Sequence, residues 1–188
     1  MTRIVYATAT SLDGYLADPN DSLDWLFEVD GGDDAIAELE VFVAGVTVQV
    51  QGSTTYLWVL EHEKLLENPE RWQTFYGDKK TFVFSSRADL PLVPGADIAV
   101  LSGSVSEHID TIVNAADGGD VWVMGGGALA ADFAATGHLD EIQVSIAPVT
   151  LGAGASLFPT YFDSSRLRLT DVHQTGQFIQ AAYEVLPH

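Results

Sequence analysis

Residues Asp120 to Ala130 read DVWVMGGGALA, and the reading of this stretch decides the fold. Val121-Trp122-Val123-Met124 is a short apolar run of the kind that forms a buried strand. Gly125, Gly126 and Gly127 follow it, and an apolar stripe through Leu129, Phe133 and Thr136 then predicts a helix closing near Gly137. Strand, glycine turn and helix start together make a place where backbone can approach a bound anion. No Cβ stands in the way, and the unpaired N–H groups of a helix start favour negative charge. The plainer alternative is a tight strand-to-helix turn that binds nothing.

The stretch also fits G-x-G-x-x-A through Gly125, Gly127 and Ala130. A Rossmann dinucleotide fold, however, needs an acidic residue about 20 positions on to hold the ribose. Here that position falls in Ser145-Ile146-Ala147, and little chain is left for further βαβ units. A nucleotide site is consistent with the stretch; a Rossmann site is not.

Two further junctions share the same character. Residues 46–51 read as a strand, and Gly52-Ser53-Thr54-Thr55 opens a helix carrying Tyr56, Val59, Leu60, Leu65 and Leu66. Residues 79–85 read as another strand, ending in Ser85-Ser86-Arg87. Two hydroxyls and a guanidinium there can hold a phosphate with directed hydrogen bonds. Plain helix capping and an ordinary surface turn are the alternatives.

Around these junctions the chain predicts an α/β domain. Residues 3–10 form the first strand, and Asp13-Gly14 then marks a turn. A short helical turn carries Leu23, Trp25 and Leu26. Asp33-Asp34 opens a helix expected to turn Ile36, Leu39, Val41, Phe42 and Val43 inward. Trp72, Phe75 and Tyr76 fall in a loop. Residues 97–101 form a strand and 104–116 a helix. Residues 139–148, 167–172 and 177–185 alternate as strands, the last two as a hairpin about Gly176. Strands separated by helices imply a mainly parallel central sheet with an antiparallel C-terminal edge.

Composition narrows the function. The 188 residues predict a single domain, 1–188, and 47% hydrophobic residues supply a substantial core. No apolar run approaches the ~20 residues of a membrane span, and the N-terminus lacks a signal-peptide layout. A cytoplasmic location is therefore expected. Without cysteine there is no disulfide, thiolate chemistry or Cys-ligated zinc. The five histidines are scattered, so no metal site is expected. With 27 acidic residues against 8 Lys and Arg, the net charge of −19 repels nucleic acid and anionic membranes. An anionic ligand would depend on a few well-placed cations, among them Arg3, Arg71, Lys79, Lys80, Arg87, Arg166 and Arg168.

Three anchors in order carry a resemblance over nearly the whole chain. They are Ser11-Leu12-Asp13-Gly14-Tyr15-Leu16-Ala17, the pattern Gly52-x-x-Thr55-Tyr56, and Val123-Met124-Gly125-Gly126-Gly127. Leu139-Asp140-Glu141 and Ala147-Pro148-Val149-x-Leu151-Gly152 follow the third. The set resembles the dihydrofolate-reductase-like family that includes the C-terminal reductase domain of the bacterial riboflavin-biosynthesis deaminase/reductase. The resemblance implies a homodimer and NADPH bound across the strand ends. It implies a cis peptide at Gly125-Gly126, pyrophosphate against Gly126, Gly127, Ala128 and Leu129, and Gly52 and Thr55 facing the cofactor. Ser85, Ser86 and Arg87 would surround the 2′-phosphate, and substrate would lie between Asp13, Trp25 and the cofactor.

The family pattern at the second junction is G-R-x-T, and here Ser53 stands in place of the arginine. Losing one charge-assisted hydrogen bond of roughly 1.5–3 kcal/mol weakens a preference for NADPH by one to two decades, which leaves NADH open. The expectation is hydride transfer to a small heterocyclic or carbonyl substrate, with no proton donor identified. A fold-sharing homodimer that binds ligand without catalysis is the alternative.

Overall fold

The computed structural model describes residues 2–87 and 89–187. The strands are β1 (Ile4–Ser11), β2 (Tyr15–Ala17), β3 (Val46–Gly52), β4 (Lys80–Phe84) and β5 (Ile98–Leu101). They continue with β6 (Asp120–Gly125), β7 (Glu141–Ala147), β8 (Ala155–Ser156), β9 (Leu167–Thr175) and β10 (Phe178–Val185). The helices are α1 (Asp24–Phe27), α2 (Gly32–Val43), α3 (Ser53–His62), α4 (Glu70–Tyr76), α5 (Val105–Ala116) and α6 (Gly127–Ala135).

Eight strands form one sheet in the order β5-β4-β3-β6-β1-β7-β10-β9. The first six in that order are mutually parallel, with Tyr6 opposite both Val123 of β6 and Ile142 of β7. The β9–β10 hairpin adds the antiparallel edge, with β10 against β7. The dihydrofolate-reductase-like α/β arrangement expected from the sequence is the one observed. β2 and β8 form a separate two-stranded ribbon too short to leave a period in the sequence.

The central strands are buried on both faces, which is why they read as nearly continuous apolar runs. On one face α5 and α6 bring Ile109, Ile112 and Phe133 against Tyr6, Val50 and Val123. Each such side chain contributes roughly 1.5–3 kcal/mol through burial. On the other face α3 and α4 pack Tyr56, Leu60 and Trp72 over Val83. Beside them, Leu39, Phe42 and Val43 of α2 touch Val5, Val46 and Trp122.

Two expectations are corrected. Trp72, Phe75 and Tyr76 lie in α4 rather than in a loop, with Trp72 only 1% exposed and stacked obliquely on Tyr76 at 4.6 Å. Helical spacing lets these rings share a side, and Pro69 supplies a fixed φ at the start. Second, α2 does not bury its whole apolar stripe. Ile36 and Val41 are exposed, and no residue of α2 is fully buried. The helix leans on the sheet along one line and leaves a cleft beside it. No helix among the described residues is long and apolar enough to cross a membrane.

Candidate functional site

The sheet brings the three junctions together. Because β4, β3 and β6 are adjacent and parallel, their C-terminal ends line one edge, with Gly52 opposite Phe84 and Gln51 opposite Gly125. Ser85, Ser86 and Arg87 follow Phe84 directly, so their loop lies beside Gly52. Ser85 is nearly buried and accepts the Arg87 backbone N–H at 2.9 Å, whereas Ser86 and Arg87 are exposed. The Arg87 guanidinium makes no salt bridge among the described residues.

The Gly125-Gly126 peptide is cis. Each glycine of the triplet answers a different need. Gly125 has φ +144°, a region that side chains disfavour, and a Cβ there would stand 3.4 Å from the Thr55 hydroxyl. Around Gly126 nothing lies within 4 Å of the corresponding position, so its surface is open. A Cβ on Gly127 would meet the carbonyl oxygens of Ser156 and Leu157 at 2.4 Å. Gly127 is therefore demanded by the protein's own chain, whatever binds nearby. The first helical hydrogen bond of α6 runs from Ala130 N–H to Gly126 C=O, so the N–H groups of Gly127, Ala128 and Leu129 have no acceptor within the helix. Leu129 itself points its side chain into the core.

Gln51, one residue before Gly52, is wholly buried, and neither its Nε2 nor its Oε1 has a hydrogen-bond partner among the described residues. Unpaired buried amides are uncommon, and they mark positions that water or a ligand serves. The residue escaped sequence reasoning because a glutamine in a strand normally reads as surface.

Asp13 sits in the β1–β2 turn, remote from this edge in its bonding. Its carboxylate accepts the backbone N–H of Leu151 at 3.0 Å, that of Gly152 at 2.7 Å and the Ser11 hydroxyl at 2.7 Å. The Ser11 bond first, and then these amides, hold its pKa down at about 2. Asp13 is thus an ionised strut for the 151–152 loop at neutral pH. Trp25 is half-buried in α1, and its indole N–H has no partner among the described residues.

Beside α2 the sheet carries a cavity of about 770 Å3. It exists because β1 presents only Ala7, Thr8 and Ala9 where α2 stands away. Leu39 and Phe42 form the helix side, and Trp122 and Met124 the wall nearest the glycine turn. Phe42 meets Trp122 edge to face at 6.2 Å. Gln143, Ser145 and Gln180 supply polar groups from β7 and β10. Leu26 and Phe27 of α1 reach the cavity, whereas Asp13 and Trp25 are not among its lining residues. Nothing along the chain marks this space beyond the run of small residues in β1.

Most of the charged rim of the cavity is already paired. Arg3 binds Asp120 through Nη2 at 2.5 Å and Glu141 through Nη1 at 3.0 Å. His173 bridges Asp171 at 2.7 Å and Glu38 at 3.0 Å, and Glu38 also accepts the Thr175 hydroxyl. The two hydrogen bonds to Glu38 and Asp171 raise the pKa of His173. Among the described residues, no group of three or more His, Asp or Glu side chains can hold a metal ion.

Comparison with known proteins agrees with this geometry. The pattern of the RibD C-terminal domain matches residues 2–181. The uncharacterized protein YwjB of Bacillus subtilis is 30% identical over 192 residues, covering 96% of this chain and 97% of its own. A Shewanella structure provisionally assigned to riboflavin biosynthesis superposes with a TM-score of 0.79 at 24% identity, over 98% and 99% of the two chains. Dihydrofolate reductase of Enterococcus faecalis, solved with NADP(H), superposes at 0.60 with 15% identity, over 97% and 96%, which shows a shared fold. With a family pattern spanning nearly its full length, the chain belongs to the RibD C-terminal domain family.

Proposed function

We propose that this chain is a reductase that holds a nicotinamide dinucleotide along the ends of β4, β3 and β6, and a small heterocyclic or carbonyl compound in the adjacent cavity. One observation carries the reading: Met124 lines the cavity, and the next residue begins the glycine turn. A ring held over that turn lies beside whatever fills the cavity.

The residues fit the cofactor. The open surface at Gly126 and the unpaired N–H groups of Gly127, Ala128 and Leu129 suit a pyrophosphate. Gly52 and Thr55 would face the cofactor from β3 and α3. Ser85, Ser86 and Arg87 would hold a 2′-phosphate, with Arg87 supplying the charge. When bound, such a cofactor supplies hydride. The protein's own work is to position the acceptor against it and to exclude water with Trp122, Phe42 and Leu39.

With Ser53 where the family pattern has arginine, the choice between NADPH and NADH falls on Arg87. Titration with each nucleotide, followed by tryptophan fluorescence, tests this. Micromolar NADPH binding that weakens about tenfold in Arg87→Ala supports the reading. Absence of binding by both nucleotides overturns it.

One observation favours the second reading, a ligand-binding homodimer without catalysis. Glu38 at the cavity accepts the Thr175 hydroxyl and pairs with His173, which lowers its pKa and leaves it a poor proton donor. Turnover of NADPH with any acceptor excludes that reading. Under either reading a second copy of the chain covers the exposed Ile36 and Val41 of α2 and Leu169 and Val172 of β9. Light scattering at micromolar concentration tests the dimer. The reductase reading also carries a cytoplasmic location, where reduced nicotinamide nucleotides are supplied.

A further inference from the structure

We infer that the cavity beside α2 selects a flat, uncharged or cationic ring and rejects phosphate-bearing molecules; as a statement about substrate, this rests on the reductase reading above. Three features of the cavity combine to give the preference.

The walls are aromatic and aliphatic and stand opposite one another, with Trp122 on the sheet and Leu39 and Phe42 on α2. A slot of this kind rewards a planar ring through burial and stacking. Within it stands one directed donor. The Oε1 of Gln180 accepts the Ser145 hydroxyl, which fixes the amide so that Nε2 is its free end. That Nε2 is buried and has no partner among the described residues. Gln180 belongs to the cavity wall, and a turn of its amide would offer this donor to a ring carbonyl or ring nitrogen of the ligand.

The third feature is charge. Among the described lining residues the basic groups are Arg3 and His173, and each already lies between two carboxylates. Asp33, Glu38, Glu141 and Asp171 line the same space. Four carboxylates thus face two basic groups that are already occupied. A phosphomonoester brings a charge of about −2 at neutral pH and is held by guanidinium or ammonium donors free to turn to it. It finds none here, and the chain's net charge of −19 opposes its approach. Arg87 belongs to the far side of the β6 turn, at the end of β4, and does not line the cavity.

The test uses the full chain without nicotinamide cofactor and two probes that differ only by a phosphate, riboflavin and its 5′-phosphate. Binding is read from quenching of protein and flavin fluorescence. Riboflavin is expected to bind at least about tenfold more tightly than the phosphate. Two variants sharpen the result. Gln180→Leu weakens riboflavin about tenfold, because the ring acceptor loses its donor. Asp33→Lys, which puts a free cation in place of one lining carboxylate, narrows the gap between the probes. Equal or tighter binding of the phosphate overturns the inference, and so does failure of both probes to bind. A parallel NADPH titration keeps the two conclusions apart. Riboflavin preference without NADPH binding upholds the cavity's selectivity and removes the reductase, and the reverse pattern does the opposite.

Discussion

The hydroxyl of Thr55 lies 3.4 Å from the point where a Cβ on Gly125 would stand, so the first turn of α3 and the end of β6 come within van der Waals reach of each other. Gly125→Ala sets a methyl against the Thr55 hydroxyl and forces alanine to φ +144°. A loss of about 1–3 kcal/mol follows, measurable by urea unfolding. Gly126→Ala is the informative contrast. Its φ of −85° is ordinary and its surroundings are open, so stability stays within about 1 kcal/mol of the parent while nucleotide binding weakens. Unchanged nucleotide affinity in Gly126→Ala would show that the open surface is not where the cofactor runs.

The Asp13 strut has a pH signature. Its folded pKa of about 2 lies below the ordinary carboxylate value, so its contribution is complete above the unfolded pKa and disappears as pH falls toward 2. Asp13→Ala removes that acid-sensitive component. Amide hydrogen exchange reads the change directly, with faster exchange at Leu151 and Gly152 than in the parent.

The clasp of His173 with Glu38 and Asp171 ties β9 to α2. His173 has a raised pKa, so its contribution is full below the unfolded value and is lost as pH rises through the folded one. Glu38 has a lowered pKa, set first by the Thr175 hydroxyl and then by His173, and its contribution is lost as pH falls. The clasp is therefore strongest in the mildly acidic range between the two. Exchange of α2 amides is expected to accelerate on going from mildly acidic to alkaline pH, beyond the intrinsic rate. His173→Ala should abolish that difference; if it persists, α2 is held by other contacts.

Gln51 offers a stability test with two readable outcomes. An unpaired buried amide costs about 1–3 kcal/mol, so Gln51→Leu is expected to raise the unfolding free energy. A loss of similar size shows that bound water satisfies the amide in solution.

Much of this molecule is legible in its sequence, and the failures share a cause. Val121 to Met124 announced a strand because four apolar residues stood between punctuation, and the glycines after them marked a turn whatever its partners. The Ser85-Ser86-Arg87 loop was placed next to Gly52 only by sheet order, which local periodicity does not encode. α4 was hidden because Asn68-Pro69 before it and Gly77 after it read as loop punctuation around three aromatics. The cavity was invisible because an apolar stripe looks the same whether it meets a sheet or a void. Ile36 and Val41 belong to that stripe and stay in the open. The bonds of Asp13 to Leu151 and Gly152 leave no mark in the sequence, because these partners lie far along the chain and offer only backbone.

The position of β1 bears on how the chain folds. It precedes the rest of its sheet along the chain, yet both of its neighbours, β6 and β7, come much later, and the second is complete only at Ala147. Until then the segment IVYATATS has no sheet to enter and stays open to wrong pairing. Folding is consequently dominated by non-local pairing and slow for a chain of this size. The nascent protein is most exposed to aggregation in the interval between leaving the ribosome with β1 and acquiring the strands that enclose it.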